Sequence, residues 1–176
     1  MFRYILTLLF LASFNTSAYA IDIKSFKSKD GFSITYPKKY TVTEKDYTTG
    51  NMVILFDKKN ADDGKNLMFI LTAPKIFSDD FPFPNQISLG DEICSALEEI
   101  YTQQLGKKVN LEVCQKASLF KNGIKTVYNS IHKDYKQYQY TIELNNQTIM
   151  VSGTCKPKNC KQRDRELSNL SLSVKY

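Results

Sequence analysis

Four cysteines carry the most reactive side chains of this chain, and their spacing decides which chemistry they can perform. Cys94, Cys114, Cys155 and Cys160 follow one another at intervals of 20, 41 and 5 residues. Structural zinc sites usually pair their thiolates as C-x2-C, and thioredoxin-type redox sites place C-x-x-C at the start of a helix. The intervals fit neither arrangement, and an even number of cysteines predicts two disulfides.

Four cysteines allow three pairings, and the shortest loops favour Cys94–Cys114 together with Cys155–Cys160. In the chain-entropy model these closures contribute about 3 and about 2 kcal/mol. The proline and the asparagine within CKPKNC favour a turn in the shorter loop. We therefore expect a disulfide-clamped turn between the penultimate strand and the last helix. Non-reducing peptide mapping tests this pairing, and a Cys94–Cys155 link would contradict it.

His132 is the only histidine, so Ser-His-Asp or Cys-His catalysis would have to use its imidazole as the base. It lies in NSIHKDYK, at a predicted strand end, which is typical of a partly exposed turn histidine. The adjacent carboxylates at 62–63, 79–80 and 98–99 are interpreted as solvated surface. A small secreted hydrolase that uses carboxylates or His132 is therefore the competing hypothesis.

The first 20 residues predict export. Arg3 gives a positive start, residues 4–14 form an apolar run, and residues 18–20 read AYA, an A-x-A cleavage site. The run is too short to cross a bilayer, so we predict a signal peptide over 1–20 and no membrane span. Residues 21–176 would then form a single globular domain in the periplasm or outside the cell. Such an oxidising compartment favours disulfides, and the lysine- and asparagine-rich composition suits a bacterium.

The charge balance is moderately basic. The formal net charge is +6, and removal of Arg3 alone lowers it to +5. The lysines are scattered apart from a cluster between residues 156 and 165. In an exported chain this pattern does not favour a nucleic-acid partner. A solvated surface is the simpler interpretation, with a weak attraction to anionic surfaces as the alternative. No cofactor is predicted.

Hydrophobic periodicity predicts a strand-rich chain. Phe32, Ile34 and Tyr36 alternate with polar residues, as in a half-buried strand. The apolar runs 52–56 and 67–72 predict strands buried on both faces and joined as a hairpin. Further strands are predicted at 109–120, 124–131, 135–144, 147–155 and 170–176. Asn-Gly at 122–123 predicts a type I′ turn, and Asn-Asn at 145–146 a second turn.

The segment 88–106 is the clearest helix, and a shorter polar helix is predicted within 162–169. The apolar stripe of the first helix comprises Ile93, Leu97, Ile100, Tyr101 and Leu105. A glycine follows it, as capping rules require. Strands and helices together predict an α+β domain, a mainly antiparallel sheet packed by helices.

The segment DGFSITYPKKYTVTE, residues 30–44, resembles the opening strand of the PsbP-like family, relatives of an extrinsic photosystem II subunit. Members typically read Gly-Phe-x-Ile-x-Tyr-Pro followed by an aromatic residue, usually tryptophan. The matching residues here are Gly31, Phe32, Ile34, Tyr36 and Pro37, with Tyr40 in the tryptophan position. The order of elements is also similar: early strands, a helix, a long meander, a short helix and a final strand.

That resemblance implies an α-β-α sandwich used mainly to bind other proteins, with no shared catalytic residue. The four cysteines and the absence of tryptophan depart from the family pattern, which leaves the sub-family and the partner undefined. The metal sites of some relatives find no matching ligand residue here.

Aromatic residues supply the candidate binding patch. Phe77, Phe81 and Phe83 lie among prolines and acids in FSDDFPFPNQ, and are either packed into the core or displayed as anchors for a partner. Tyr138 and Tyr140 share a strand face with apolar residues and should face the core. Tyr135 points the other way and is expected to be exposed.

The leading hypothesis is a non-enzymatic, exported protein-binding domain whose partner is unknown. The alternatives are the hydrolase described above and a secreted inhibitor or virulence factor that binds a host protein. A deep pocket lined by ionisable groups would favour the enzyme, and a flat apolar patch around residues 77–83 would favour the binding protein.

Overall fold

The computed structural model describes residues 22–47, 50–57, 67–76, 83–144 and 146–176. Its strands are β1 (Ile23–Lys27), β2 (Ser33–Pro37), β3 (Tyr40–Tyr47), β4 (Gly50–Asp57), β5 (Met68–Pro74), β6 (Leu111–Lys116), β7 (Gly123–Asn129), β8 (Lys136–Leu144) and β9 (Gln147–Cys155). Its helices are α1 (Glu92–Leu105) and α2 (Cys160–Leu172), and a 3-10 turn at Pro157–Asn159 precedes α2. Within these ranges no helix is long and apolar enough to cross a bilayer.

The strands form two antiparallel sheets. β1 and β2 make a two-stranded hairpin, and the other seven strands form one sheet in the order β3-β4-β5-β9-β8-β7-β6. The two helices contact opposite faces of this larger sheet, because neighbouring residues of one strand reach different helices. Tyr140 of β8 bonds Asp164 of α2, whereas Gln139 bonds Tyr101 of α1. The chain is therefore an α+β structure with a large antiparallel sheet, as predicted.

Each helix covers its own apolar cluster. Leu167 and Leu170 of α2 pack with the hairpin residues Phe32 and Ile34 and with the inner faces of β4, β5, β8 and β9. α1 packs Ile93, Leu97 and Tyr101 onto β6 and β7. α1 ends at Gly106, whose φ of 61° is a left-handed conformation that glycine adopts without steric cost.

Two strands were absent from the sequence prediction and two were described wrongly. β1 and β3 were not predicted, because neither IKSFK nor YTVTEKDY has a clear apolar alternation. β4 and β5 were predicted to be buried on both faces. Instead Val53 and Ile70 are buried, while their neighbours Ile54 and Phe69 on the other face are half-buried.

The β6–β7 connection is a hairpin, but the predicted type I′ turn is wrong. That turn requires positive φ at both central residues, and neither Asn122 nor Gly123 has one. The chain turns instead through residues 117–122, with the Ala117 N–H donating to the Gly123 carbonyl at 2.8 Å. Glycine is needed there for space, since a Cβ at position 123 would lie 2.7 Å from Cβ of Phe120.

The predicted closing strand at 170–176 is also wrong. α2 continues to Leu172, and only an isolated bridge between Ser33 and Lys175 remains of that strand. Sequence alternation placed Leu170 and Leu172 on one face. In the helix Leu170 is buried, whereas Leu172 is 47% exposed.

Candidate functional site

A groove of about 580 Å³ opens between α2 and the β1–β2 hairpin, and we call it the α2 groove. It is lined by Asp22, Ile23, residues 35–40, Met68, Glu166, Asn169 and Leu170. The side chains of Tyr36, Tyr40, Met68 and Leu170 are buried and form an apolar floor. Ile23 is 67% exposed and stands at one end. Concave sites of this size that combine an apolar floor with polar groups commonly bind ligands or side chains of a partner.

Three charged residues form an ion-pair cluster on the α2 side of the groove. Lys39 Nζ donates to Glu166 Oε1 at 2.9 Å, and Arg163 Nη1 donates to Glu166 Oε2 at 3.1 Å. Burial alone would raise the pKa of Glu166, but the hydrogen bond from Lys39 and the charge of Arg163 outweigh it and hold that pKa below its ordinary value. Glu166 therefore stays ionised near neutral pH and has no proton to donate there.

Lys39 is held in its charged form by the same contacts. Burial lowers the pKa of Lys39, but the hydrogen bonds to Glu166 and Tyr40 outweigh burial and leave it raised. Its Nζ lies 4.7 Å from the centre of the Tyr40 ring, a cation–π distance. Burial raises the pKa of the Tyr40 phenol, which keeps it neutral. A second, exposed pair joins Lys38 and Asp22 at 3.0 Å on the hairpin side.

The first turn of α2 is fixed by the Cys155–Cys160 clamp, which joins the end of β9 to the first residue of the helix. One turn later Arg163 Nε donates to the Thr154 carbonyl at 3.1 Å. Between the clamp and the ion-pair cluster lies a polar recess of about 230 Å³, which shares Lys39 and Glu166 with the α2 groove. The clamp therefore sets the position of the charged side chains at the groove.

Asp164 attaches the neighbouring side of α2 to the sheet. It accepts a hydrogen bond from Lys125 Nζ at 2.6 Å and another from the Tyr140 hydroxyl at 2.8 Å. Burial and the nearby Asp164 carboxylate together raise the pKa of Tyr140, so its hydroxyl remains a donor. These two bonds tie Asp164, the residue after Arg163, to β7 and β8.

The four cysteines pair as the sequence favours. The sulfur atoms of Cys94 and Cys114 are 2.01 Å apart, and those of Cys155 and Cys160 are 2.11 Å apart. The first pair ties the first turn of α1 to β6. The second closes the predicted turn, which precedes the last helix but follows the last strand rather than the penultimate one.

The structure describes only part of the candidate aromatic patch. Phe77 and Phe81 lie outside the described residues, and Phe83 is half-buried against the α1 cluster, with Lys116 Nζ 5.9 Å from its ring centre. Tyr135 was expected to be exposed and is only 7% exposed. The prediction failed because His132 and Lys156 lie against the Tyr135 ring.

A tight turn explains the burial of Tyr135. Ser130 N–H donates to the Tyr135 carbonyl at 2.9 Å, and the left-handed Asp134, at φ 64°, reverses the chain between them. The Tyr135 ring then lies against the half-buried His132, with 6.3 Å between ring centres, and Lys156 Nζ lies 5.5 Å from it. Tyr140 is buried and Tyr138 is half-buried against the α2 cluster, so both face the core as expected.

The candidate catalytic groups are dispersed among the described residues. His132 lies in the β7–β8 turn, while Glu98 accepts a hydrogen bond from the Leu111 backbone at 2.6 Å and Glu99 is exposed on α1. The carboxylates at 62–63 and 79–80 lie outside the described residues. Within the described ranges no group of three or more metal-ligating side chains is present.

Sequence reasoning missed the residues that form the groove. Lys39 was given no role in the sequence analysis, and Glu166 was included in a short polar helix without a partner. The spacing of Arg163 and Glu166, three apart on a helix, indicated an ion pair. The third member is 127 residues away from Glu166 in the chain, so no local pattern could indicate it.

Comparison with known proteins shows a similarity in fold and none in sequence. No protein-family model matches the chain, and no curated protein is similar to it. Among solved structures, it is similar to the solution structure of cyanobacterial PsbP (CyanoP) from Synechocystis sp. PCC 6803, with a TM-score of 0.62 and 8% sequence identity. The similarity covers 90% of this chain and 95% of that one. The chain therefore has a PsbP-like fold, as the residues around Gly31–Pro37 predict.

Proposed function

We propose that this chain is an exported, non-enzymatic domain that binds another protein through the α2 groove. The observation that carries the proposal is the groove itself, an apolar floor of four buried side chains with ion-paired charges at its edges. The exposed Ile23 beside this floor supplies apolar surface that a partner side chain can bury. The PsbP-like fold supports a role in protein interaction.

The charged residues of the groove are better suited to recognition than to hydrolysis. Glu166 is held ionised by Lys39 and Arg163, whereas a general acid needs a proton to donate near neutral pH. Fixed charges beside an apolar floor define which partner side chains fit and in which orientation.

Export is supported by the predicted signal peptide and by the two cysteine pairs at disulfide distance. We expect the mature chain to begin at Ile21 and to be found in the periplasm or the medium. Mass spectrometry of envelope and supernatant fractions tests this part. Recovery of an uncleaved chain from the cytoplasm would contradict it.

The binding role is tested by site-specific photo-crosslinking in the source organism. Asn169 lines the α2 groove and is exposed, so a photoreactive residue there should crosslink a discrete protein partner. Asn110 is the matched control, since it is also an exposed asparagine but precedes β6, at the opposite edge of the seven-stranded sheet. Equal crosslinking at both positions, or none at Asn169, would refute the groove as the binding site.

A further inference from the structure

The β1 strand offers an open edge at one end of the α2 groove. β1 pairs only with β2 among the described residues, and four of its five side chains are exposed. Ile23, its first residue, also lines the groove. An edge strand with unpaired backbone groups is a template for another strand.

The hydrogen-bond pattern identifies which backbone groups of β1 face outward. In antiparallel pairs, residues that exchange hydrogen bonds alternate with residues that do not. The Lys38 N–H donates to the Asp22 carbonyl at 2.8 Å, which makes 22 and 38 a bonded pair. At the other end of the hairpin the Ser28 N–H donates to the Phe32 carbonyl at 2.8 Å.

Between these two ends bonded and non-bonded pairs alternate, so the backbone groups of Lys24 and Phe26 bond to β2. The backbone N–H and C=O groups of Ile23, Ser25 and Lys27 therefore point away from β2. No described residue supplies a hydrogen-bond partner to these outward groups. Backbone N–H and C=O groups strongly prefer to be paired, so this edge can accept a strand.

The opposite edge of the hairpin is already occupied. Ser33 N–H donates to the Lys175 carbonyl at 2.6 Å, and Lys175 N–H donates back to Ser33 at 2.9 Å. The neighbouring edge strand β3 is partly covered, because the Lys29 N–H donates to the Glu44 carboxylate at 3.1 Å. By contrast the outer edge of β1 has no such cover within the described chain.

The side chains of β1 define the chemistry of the missing strand. Its sequence IKSFK contains two lysines and no acid, and neither Lys24 nor Lys27 forms an ion pair with a described residue. Opposite charges directly across two strands are stabilising, and like charges are destabilising. An apolar residue opposite Ile23 would pack against the Ile23 side chain, which lines the groove.

We propose that β1 accepts an extended, acidic segment of the partner protein as an added antiparallel strand. The segment presents carboxylates opposite Lys27 and Lys24 and an apolar side chain opposite Ile23, beside the α2 groove. This inference rests on the proposed function and specifies how its partner is recognised: backbone hydrogen bonds supply the pairing, and the alternating side chains supply selectivity.

A second copy of the chain fits this edge less well. Pairing β1 with β1 would place Lys24 and Lys27 of each copy in one short ladder, without a carboxylate from either strand. Such a ladder lacks the opposite-charge pairs across strands that stabilise strand pairing. We therefore do not propose a second copy of the chain as the occupant of this edge, and the test must be able to detect self-association.

The test uses a synthetic peptide, acetyl-Thr-Glu-Val-Thr-Glu-Leu-Thr-amide, and amide hydrogen exchange of the mature chain. Binding should slow exchange at Ser25 and Lys27 while leaving Lys24 and Phe26, already bonded to β2, unchanged. A peptide with lysine in place of both glutamates and one with alternate N-methylated amides are the control probes. Neither control should alter exchange, since one reverses the charge and the other removes the ladder donors.

Protein variants separate charge from backbone pairing. Lys24→Glu/Lys27→Glu should weaken peptide binding at least about fivefold. Lys108→Glu/Lys121→Glu changes the net charge equally at exposed lysines elsewhere and should leave binding unchanged.

Ser25→Pro removes one outward N–H without removing a bond to β2, so it should fold and lose the peptide. An unchanged urea midpoint verifies that this variant is folded. Protection of Ser25 and Lys27 that grows with protein concentration without peptide would indicate self-pairing and overturn the proposal.

The two proposals can fail separately. If Asn169 crosslinks a partner but the peptide does not protect Ser25, the groove binds protein and strand addition is refuted. If the peptide slows amide exchange in β1 but no protein crosslinks at position 169, β1 can accept a strand and the proposed function is refuted.

Discussion

Replacing Glu166 by glutamine tests whether the ion-pair cluster holds α2 against the hairpin. The substitution keeps the shape of the side chain but removes the charge that Lys39 and Arg163 share. Breaking a buried ion pair costs about 3–5 kcal/mol, whereas an exposed pair contributes about 0–1 kcal/mol. Glu166 and Arg163 side chains are 19% and 10% exposed, and Lys39 is 45% exposed. We therefore expect Glu166→Gln to lower the free energy of unfolding by about 2 kcal/mol, between these limits.

Urea unfolding at neutral pH measures this loss, and it corresponds to about 4–8 °C in Tm for a chain of this length. Glu99→Gln is the matched control, because Glu99 is exposed on α1 and only accepts a hydrogen bond from Gln103. The control should change stability by less than about 0.5 kcal/mol.

The pH dependence gives a second, independent test of the same cluster. The folded pKa of Glu166 is lowered, so its contribution is complete above the ordinary glutamate pKa and disappears as pH falls through the lower folded value. The stability gap between the wild type and Glu166→Gln should persist at pH 5 and close in more acidic solution. A gap that equals that of Glu99→Gln, or that does not change down to pH 3, would refute the reasoning.

Three further substitutions test the frame of the groove. Leu167→Ala, at a fully buried position, should lower the free energy of unfolding by about 2–5 kcal/mol in the same urea assay. The control Leu172→Ala, at a 47% exposed position, should lower it by less than about 1 kcal/mol. Gly153→Ala should destabilise by about 1–3 kcal/mol, because its Cβ would lie 3.2 Å from Leu167 Cδ2 and 3.3 Å from a backbone oxygen; an unchanged Tm would contradict this. Serine at both Cys155 and Cys160 should cost about 2 kcal/mol in calorimetry under oxidising conditions, and the variant should match wild type that carries the same pair reduced.

Local patterns in the sequence predicted much of the fold. β2, the presence and C-terminal end of α1 and the β8–β9 hairpin follow from alternation, helical spacing and turn residues that act within a few positions, although α1 begins at Glu92 rather than at residue 88. The disulfide pairing followed from loop length, because short loops also bring the cysteines close together in the fold.

The failures occurred where distant contacts override local preference. LSLSVKY alternates like a strand, but burial of Leu170 against the hairpin makes a helix the better solution. Tyr135 was assigned the wrong exposure, because a turn brings its ring to His132 and because Lys156, from a distant part of the chain, lies over it. The α2 groove could not be predicted for the same reason, since its walls come from both ends of the chain.

The groove is formed before any partner arrives, because α2 is fixed at both ends and on both sides. The Cys155–Cys160 clamp holds its start, Asp164 and Glu166 hold its flanks, and the residues after it pair with β2. A preformed site loses little conformational freedom on binding. Variants that loosen α2, such as Glu166→Gln, should therefore weaken binding in step with unfolding stability, whereas variants on the β1 edge should weaken binding with stability unchanged. Measuring both quantities for each variant separates the residues that hold the groove from those that touch the partner.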